Sequence, residues 1–147
     1  MRLNFKASAD YRDPVTHPPV AIKNVQSFLD VVGKWNLYDF EISALRLLDN
    51  GLPSGSLEID LRFHSDYLEE RPTGIAAAEY LFVFAFYGVA ALELAGFGEQ
   101  FVVGEHLFES DSNAIYVSLE SVAGGLLRFT CTSIELLSSI KVPAEGG

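Results

Sequence analysis

Cysteine is almost missing from this chain. Cys131 stands alone among 147 residues, which excludes an intramolecular disulfide framework and leads to the expectation of a reducing, cytoplasmic setting. Basic residues are few and unevenly spread. No Lys or Arg occurs between Arg71 and Arg128, and residues 72–147 hold two basic side chains against nine acidic ones. With a net charge of −10, nucleic acid is a poor partner, because phosphates need Lys and Arg to displace their counterions. Hydrophobic runs of membrane length are lacking too. The uninterrupted apolar stretch Tyr80–Leu92 has 13 residues between Glu79 and Glu93, short of the roughly 20 a spanning helix needs. Met1–Asp10 has basic residues but no continuous apolar region, so no signal peptide is expected.

The usual signatures of catalysis are also missing. There is no Gly-rich phosphate loop ending in Lys-Ser/Thr and no dinucleotide fingerprint. Gly51-Leu52-Pro53-Ser54-Gly55 does not follow the nucleophile-elbow order. His17, His64 and His106 are far apart, with no pair at metal-ligand spacing. His64-Ser65-Asp66 has triad residue types, but neighbours on an extended chain point to opposite sides. The expectation is a protein that is not an enzyme and carries no cofactor or metal.

What is present is material for a core. Apolar residues make up 49% of the chain and aromatics 12%, a composition that folds as one domain over residues 1–147. Residues 1–23 read as irregular, with Asp13-Pro14 and His17-Pro18-Pro19 as breakers, and residues 144–147 as a loose tail. Val25, Phe28, Leu29 and Val32 follow helical spacing between Asn24, a candidate N-cap, and Gly33, a candidate C-terminal cap. After this helix the period changes to two. Leu57, Ile59, Leu61 and Phe63 alternate with Glu58, Asp60, Arg62 and His64, a strand with one wet face. Ile115–Leu119 and Leu127–Cys131 alternate likewise around Ala123-Gly124-Gly125 and suggest a hairpin. Tyr80–Tyr87, apolar throughout, reads as a central strand covered on both sides. In Asp39–Leu48 the apolar phase slips, which suggests a bulge near Ala44. Val89–Leu94 and Ile134–Ile140 read as further strands, and 97–112 is ambiguous. The fold class expected is α+β, mainly antiparallel sheet, sandwich-like or strongly curved, with one N-terminal helix.

Three features carry candidate chemistry. On one strand face, Asp39 and Glu41 would stand side by side, as paired acids or hard-metal ligands do. They would equally serve as a wet face, or as acids paired with Lys34 or Arg46. Trp35 is either a core plug whose indole N–H finds a carbonyl or a binding hot spot. Cys131 falls on an apolar strand face, where a thiol is usually a small buried hydrophobe.

Two strings in order resemble the immunity protein 50 family, found beside polymorphic and contact-dependent bacterial toxins. Gly33, Trp35, Asp39 and Glu41 fit the first. Phe86, Gly88, Val89, Leu92, Leu94, Gly96, Phe97 and Gln100 fit the second, and the ending through Gly125, Phe129, Cys131 and Pro143 is similar as well. Asn36 and Tyr38 stand where members often carry Pro and His, so the resemblance is to a divergent member. It implies an inhibitor that binds and blocks a cognate protein toxin, with no catalytic residue of its own. Joined to the charge, it points to a basic, nuclease-like toxin, met by Glu99, Glu105, Glu109 and Asp111 in the stretch without basic residues. A β-rich domain whose aromatics line a small-molecule cavity is the alternative.

Overall fold

The structure, a computed structural model, describes residues 17–48, 55–64, 78–97 and 100–142. Among these residues one short helix, α1 (Gln26–Val32), precedes eight strands: β1 (Glu41–Leu48), β2 (Ser56–His64), β3 (Glu79–Tyr87), β4 (Ala90–Ala95), β5 (Val103–Ser110), β6 (Ile115–Ser121), β7 (Leu126–Cys131) and β8 (Ser133–Val142). They form two four-stranded sheets, ordered β1-β2-β3-β8 and β4-β7-β6-β5. Every pairing between strands is antiparallel, as the short connections and period-two segments imply.

The two inner faces share one core. Leu57, Ile59, Leu61 and Phe63 of β2, Phe82, Phe84 and Phe86 of β3, and Val117, Leu119, Leu127 and Phe129 of the second sheet are all buried. Alternation decides this: a strand that turns every second side chain inward buries its whole apolar set or none of it. Phe86 meets Phe129 across the gap edge to face, with ring centroids 5.0 Å apart.

The sheets are laced together where the chain passes between them. Thr132 N–H, at the β7–β8 crossing, donates to the Tyr87 carbonyl at 2.8 Å. Beside it Gly88 turns β3 into β4 at φ +67°, and a Cβ there would lie 2.6 Å from Thr132 Oγ1, so both backbone sign and space call for glycine. At another corner, Ile42 N–H donates to Phe101 O (2.9 Å) and Val103 N–H to Phe40 O (2.8 Å).

Phe28 of α1 inserts between the sheets, 4.8 Å from Phe82, 5.2 Å from Trp35 and 5.6 Å from Phe40 by ring centroids. Trp35, only 4% exposed, completes the wedge: its ring lies 6.1 Å from Phe84 of the first sheet and 5.3 Å from Phe108 of the second. It is a core plug, but its buried Nε1 has no hydrogen-bond partner among the described residues, contrary to the expected carbonyl.

Several expectations need correction. Asn24 does not cap the helix. It adopts φ +66°, and its side-chain amide donates to Glu135 Oε2 at 3.3 Å. Val25 is the N-cap and makes no side-chain cap bond. The cause is tertiary: Lys23 pairs with β8 through Lys23 N–H to Ile134 O and Leu136 N–H to Lys23 O, each 2.9 Å, which fixes the chain just before the helix. Gly33 does close the helix, at φ +91° with its N–H on Leu29 O. β3 is covered less fully on its outer face, where Ala85 is buried but Leu81, Val83 and Tyr87 are half-buried. Glu58 and Asp60 are also half-buried rather than exposed, because Arg46 lies over them. The bulge expected near Ala44 occurs between Ile42 and Ala44, and the ambiguous 97–112 stretch supplies β5. Residues 49–54, most of the N-terminal segment expected to be irregular and the tail expected at 144–147 lie outside the described residues.

Truncating Trp35→Ala is expected to cost about 3–5 kcal/mol in a urea unfolding experiment, as large buried aromatics do. Trp35→Phe should cost less than this, because a phenyl ring refills most of the wedge and the N–H it removes is unpaired, leaving only the loss of the smaller ring's contacts. A Trp35→Ala midpoint equal to the parent's would refute the wedge.

Candidate functional site

The two outward sheet faces differ in how their charges are met. On the first, acids and bases interleave. Arg46 Nε reaches Glu58 Oε1 at 3.1 Å and its Nη1 reaches Asp60 Oδ2 at 3.1 Å, which holds the guanidinium proton more firmly than usual. Arg62 lies 3.2 Å from Glu79 and 3.8 Å from Glu41, and His64 lies 3.4 Å from Glu79. Every acid named here has a cationic or ionisable neighbour across the strands.

The outward face of the second sheet lacks that balance. The pairing registers set three rows across it from β5 to β4: Glu105–Glu120–Leu126–Ala95, Leu107–Ser118–Arg128–Glu93 and Glu109–Tyr116–Thr130–Ala90. Glu93, Glu105, Glu109 and Glu120 are all exposed. Arg128 is the one base in these rows. Its Nε donates to Ser118 Oγ at 3.3 Å and its Nη2 lies 3.8 Å from Glu120. Glu105 stands directly opposite Glu120, a like-charge cross-strand pair that costs stability where a Lys or Thr would not. The bulge between Val103 and Glu105 sets this phase. It turns Glu105, Leu107 and Glu109 outward and His106 and Phe108 inward.

Of the acids singled out in the sequence, Glu105 and Glu109 thus share one face, joined by Glu93 and Glu120. Asp111 is exposed but occupied. Its Oδ1 accepts the N–H groups of Asn113 (2.7 Å) and Ala114 (2.9 Å), closing the β5–β6 turn and holding its carboxyl below the usual range. Glu99 lies outside the described residues. The sequence could not reveal the Glu105–Glu120 opposition, because the register of the β5–β6 hairpin had to be known first.

Asp39 and Glu41 do not share a strand face. Asp39 precedes β1 in a left-handed turn at φ +71°, its N–H on Val103 O, while Glu41 begins the strand and meets Arg62 instead of Lys34 or Arg46. Both nevertheless line one surface cleft of about 420 Å3 with Arg62, His64, Gln100 and Val102, so Gln100 of the second string comes beside the acids of the first. Phe28, Phe40 and Phe82 pack against one another in the interior between the sheets, as do Phe86 and Phe129, while Phe108 and Tyr116 line a surface concavity of about 510 Å3 with Pro19 and Glu109. Among the described residues no group of three or more His, Cys, Asp or Glu side chains is disposed to hold a metal ion. No helix among them is long and apolar enough to cross a membrane. Cys131 is buried, and burial pushes its thiol up to about 11, which leaves it protonated at neutral pH.

His106 was not singled out for a structural role by the sequence, yet it anchors the wedge. Its Nε2 accepts the backbone N–H of Leu37 at 3.4 Å, and its ring packs 4.8 Å from Tyr38 and 6.5 Å from Trp35. Burial among these groups lowers its pKa from 6.5 to about 4.

No family model matches the chain, no curated protein matches its sequence and no solved structure matches its fold.

Because the folded imidazole is harder to protonate than the unfolded one, its contribution to stability is intact above pH 6.5 and fades as pH falls from 6.5 towards 4. A loss of up to about 3 kcal/mol between these limits is expected. Urea midpoints at neutral and mildly acidic pH check it: the acid-induced drop should shrink in His106→Gln, and an undiminished drop would assign it to other groups.

Proposed function

We propose that this protein is an immunity protein, which binds a cognate bacterial toxin stoichiometrically inside the producing cell and blocks it. The docking surface is the outward face of the β4-β7-β6-β5 sheet, and the toxin is basic and nuclease-like. The observation that carries this reading is the excess of exposed acid on that face, where Glu93, Glu105, Glu109 and Glu120 stand against the one base Arg128 and Glu105 is opposed to Glu120. On the other sheet Glu41, Glu58, Asp60 and Glu79 have cationic partners and Glu135 accepts from Asn24 and Tyr87, so acids there are matched in a way the β5 glutamates are not. The two strings that resemble the immunity protein 50 family support the same reading from the sequence side. A field of one sign speeds capture of an oppositely charged partner and weakens as salt rises. A toxin that grips phosphate presents the matching charge, and the glutamate rows would occupy its groove as the nucleic acid does.

Such a surface sets stability against binding, and the two can be separated. Glu105→Lys converts a like-charge pair into an opposite-charge one and is expected to raise folding stability by about 0.2–1 kcal/mol. The double variant Glu105→Lys/Glu109→Lys should meanwhile slow toxin capture at low salt and weaken protection of cells that co-express the toxin encoded next to this gene. If the double variant captures that toxin at the parental rate, the face is only a solvated one.

A further inference from the structure

β4 is an edge strand with unusual exposure. Among the described residues it pairs with β7 alone, and five of its six residues are exposed, alanines included. Its side chains also divide by face. Glu93 and Ala95 continue the acidic outer rows, while Leu94, opposite the buried Leu127, turns the other way and is still 47% exposed. Phe97, just beyond the strand, is 37% exposed. Edges that must stay unpaired are usually blunted by lysines, prolines, bulges or inward charges; β4 has no lysine, proline or inward charge, and its one irregularity lies between Ala90 and Glu93. Ala91, at φ +55°, lies at the irregular end of the β4–β7 pairing, which leaves Glu93–Ala95 as the regular stretch of the edge.

We infer that β4 is the edge to which the protein partner adds an extended segment, with basic side chains over the outer face beside Glu93 and apolar ones against Leu94 and Phe97. The inference rests on the reading of the acidic face as the docking surface and goes further by naming the backbone edge and the partner's pattern, alternately basic and apolar. In strand addition the main-chain ladder supplies affinity and the alternating side chains supply selection. Charge complementarity selects the occupant. Glu93 makes no ion pair among the described residues, since Arg128, its cross-strand neighbour, is engaged with Ser118 and Glu120. A second copy of this chain would bring Glu93 and the rest of this acidic face against their own like, which disfavours self-pairing.

The test uses the whole chain and a dye-labelled, end-capped peptide Lys-Val-Lys-Val-Lys-Val-Lys at low salt. The same peptide with every backbone nitrogen methylated keeps the charge and spacing but has no N–H to donate and cannot sustain a ladder. The Lys-Val peptide should bind about tenfold or more tighter than its methylated counterpart. Its binding should slow amide exchange across Ala90–Ala95, and Leu94→Lys should weaken it about tenfold. If both peptides bind alike and both weaken in Glu105→Lys, strand addition is overturned while the acidic face stands. If the Lys-Val peptide does not bind, or protects amides away from β4, the edge is not a docking site, whatever toxin capture by the face shows. If the chain sediments as a dimer that Leu94→Lys dissociates, a second copy occupies the edge and the inference fails.

Discussion

The contact between Phe28 and Trp35 is the constraint that the rest of the molecule depends on. Two sheets facing each other leave a gap that flat aliphatic side chains alone do not fill at one end, and aromatic rings of this size close it. Phe28 touches Phe82 and Phe40 on the first sheet, and Trp35 reaches Phe108 on the second, so one helix and one loop hold both layers. The Leu37 N–H on His106 and the Asp39 N–H on Val103 O then tie the following loop to β5. Remove the wedge and the loop that starts β1 loses its seat as well.

That arrangement has a consequence for charge. β1 and β5 are brought together at their starts through Phe40, Ile42, Phe101 and Val103, so the chain's acidic half closes around the core with its inner face apolar. Its glutamates can only face outward, since unpaired carboxylates are rarely buried. Two surfaces of opposite character result from one packing solution: a neutralised face on the first sheet and an acidic one on the second. The acidic face and the open β4 edge are contiguous because β4 terminates the same sheet. A partner reaching one meets the other.

Much of this was legible in the residues. The period-two alternation of Leu57–Phe63 and Leu127–Cys131, the helical spacing of Val25–Val32, the cap at Gly33 and the bulge beside Ala44 are local signals, and each appears where its pattern lies. The lack of basic residues between Arg71 and Arg128 already announced a surface of one sign. What misled were positions where a distant partner outbid local preference. Asn24 has the chemistry of a helix cap, but pairing of Lys23 with β8 turns it towards Glu135. Asp39 and Glu41 have strand spacing, but pairing with Val103 leaves Asp39 in a left-handed turn.

By itself, then, the sequence determined most of the secondary elements though not β5, much of the inward set of apolar side chains and the sign of the surface, because periodicity, turn chemistry and net charge are carried by residues near one another in the chain. Which glutamate opposes which, that Arg46 and Arg62 lie among the acids of one face while the other has Arg128 alone, that His106 accepts from Leu37, and that β4 is one of the two strands that end its sheet were decided only by the tertiary structure. These depend on register and sheet order, and a shift of one residue in pairing would exchange every inward side chain for its outward neighbour.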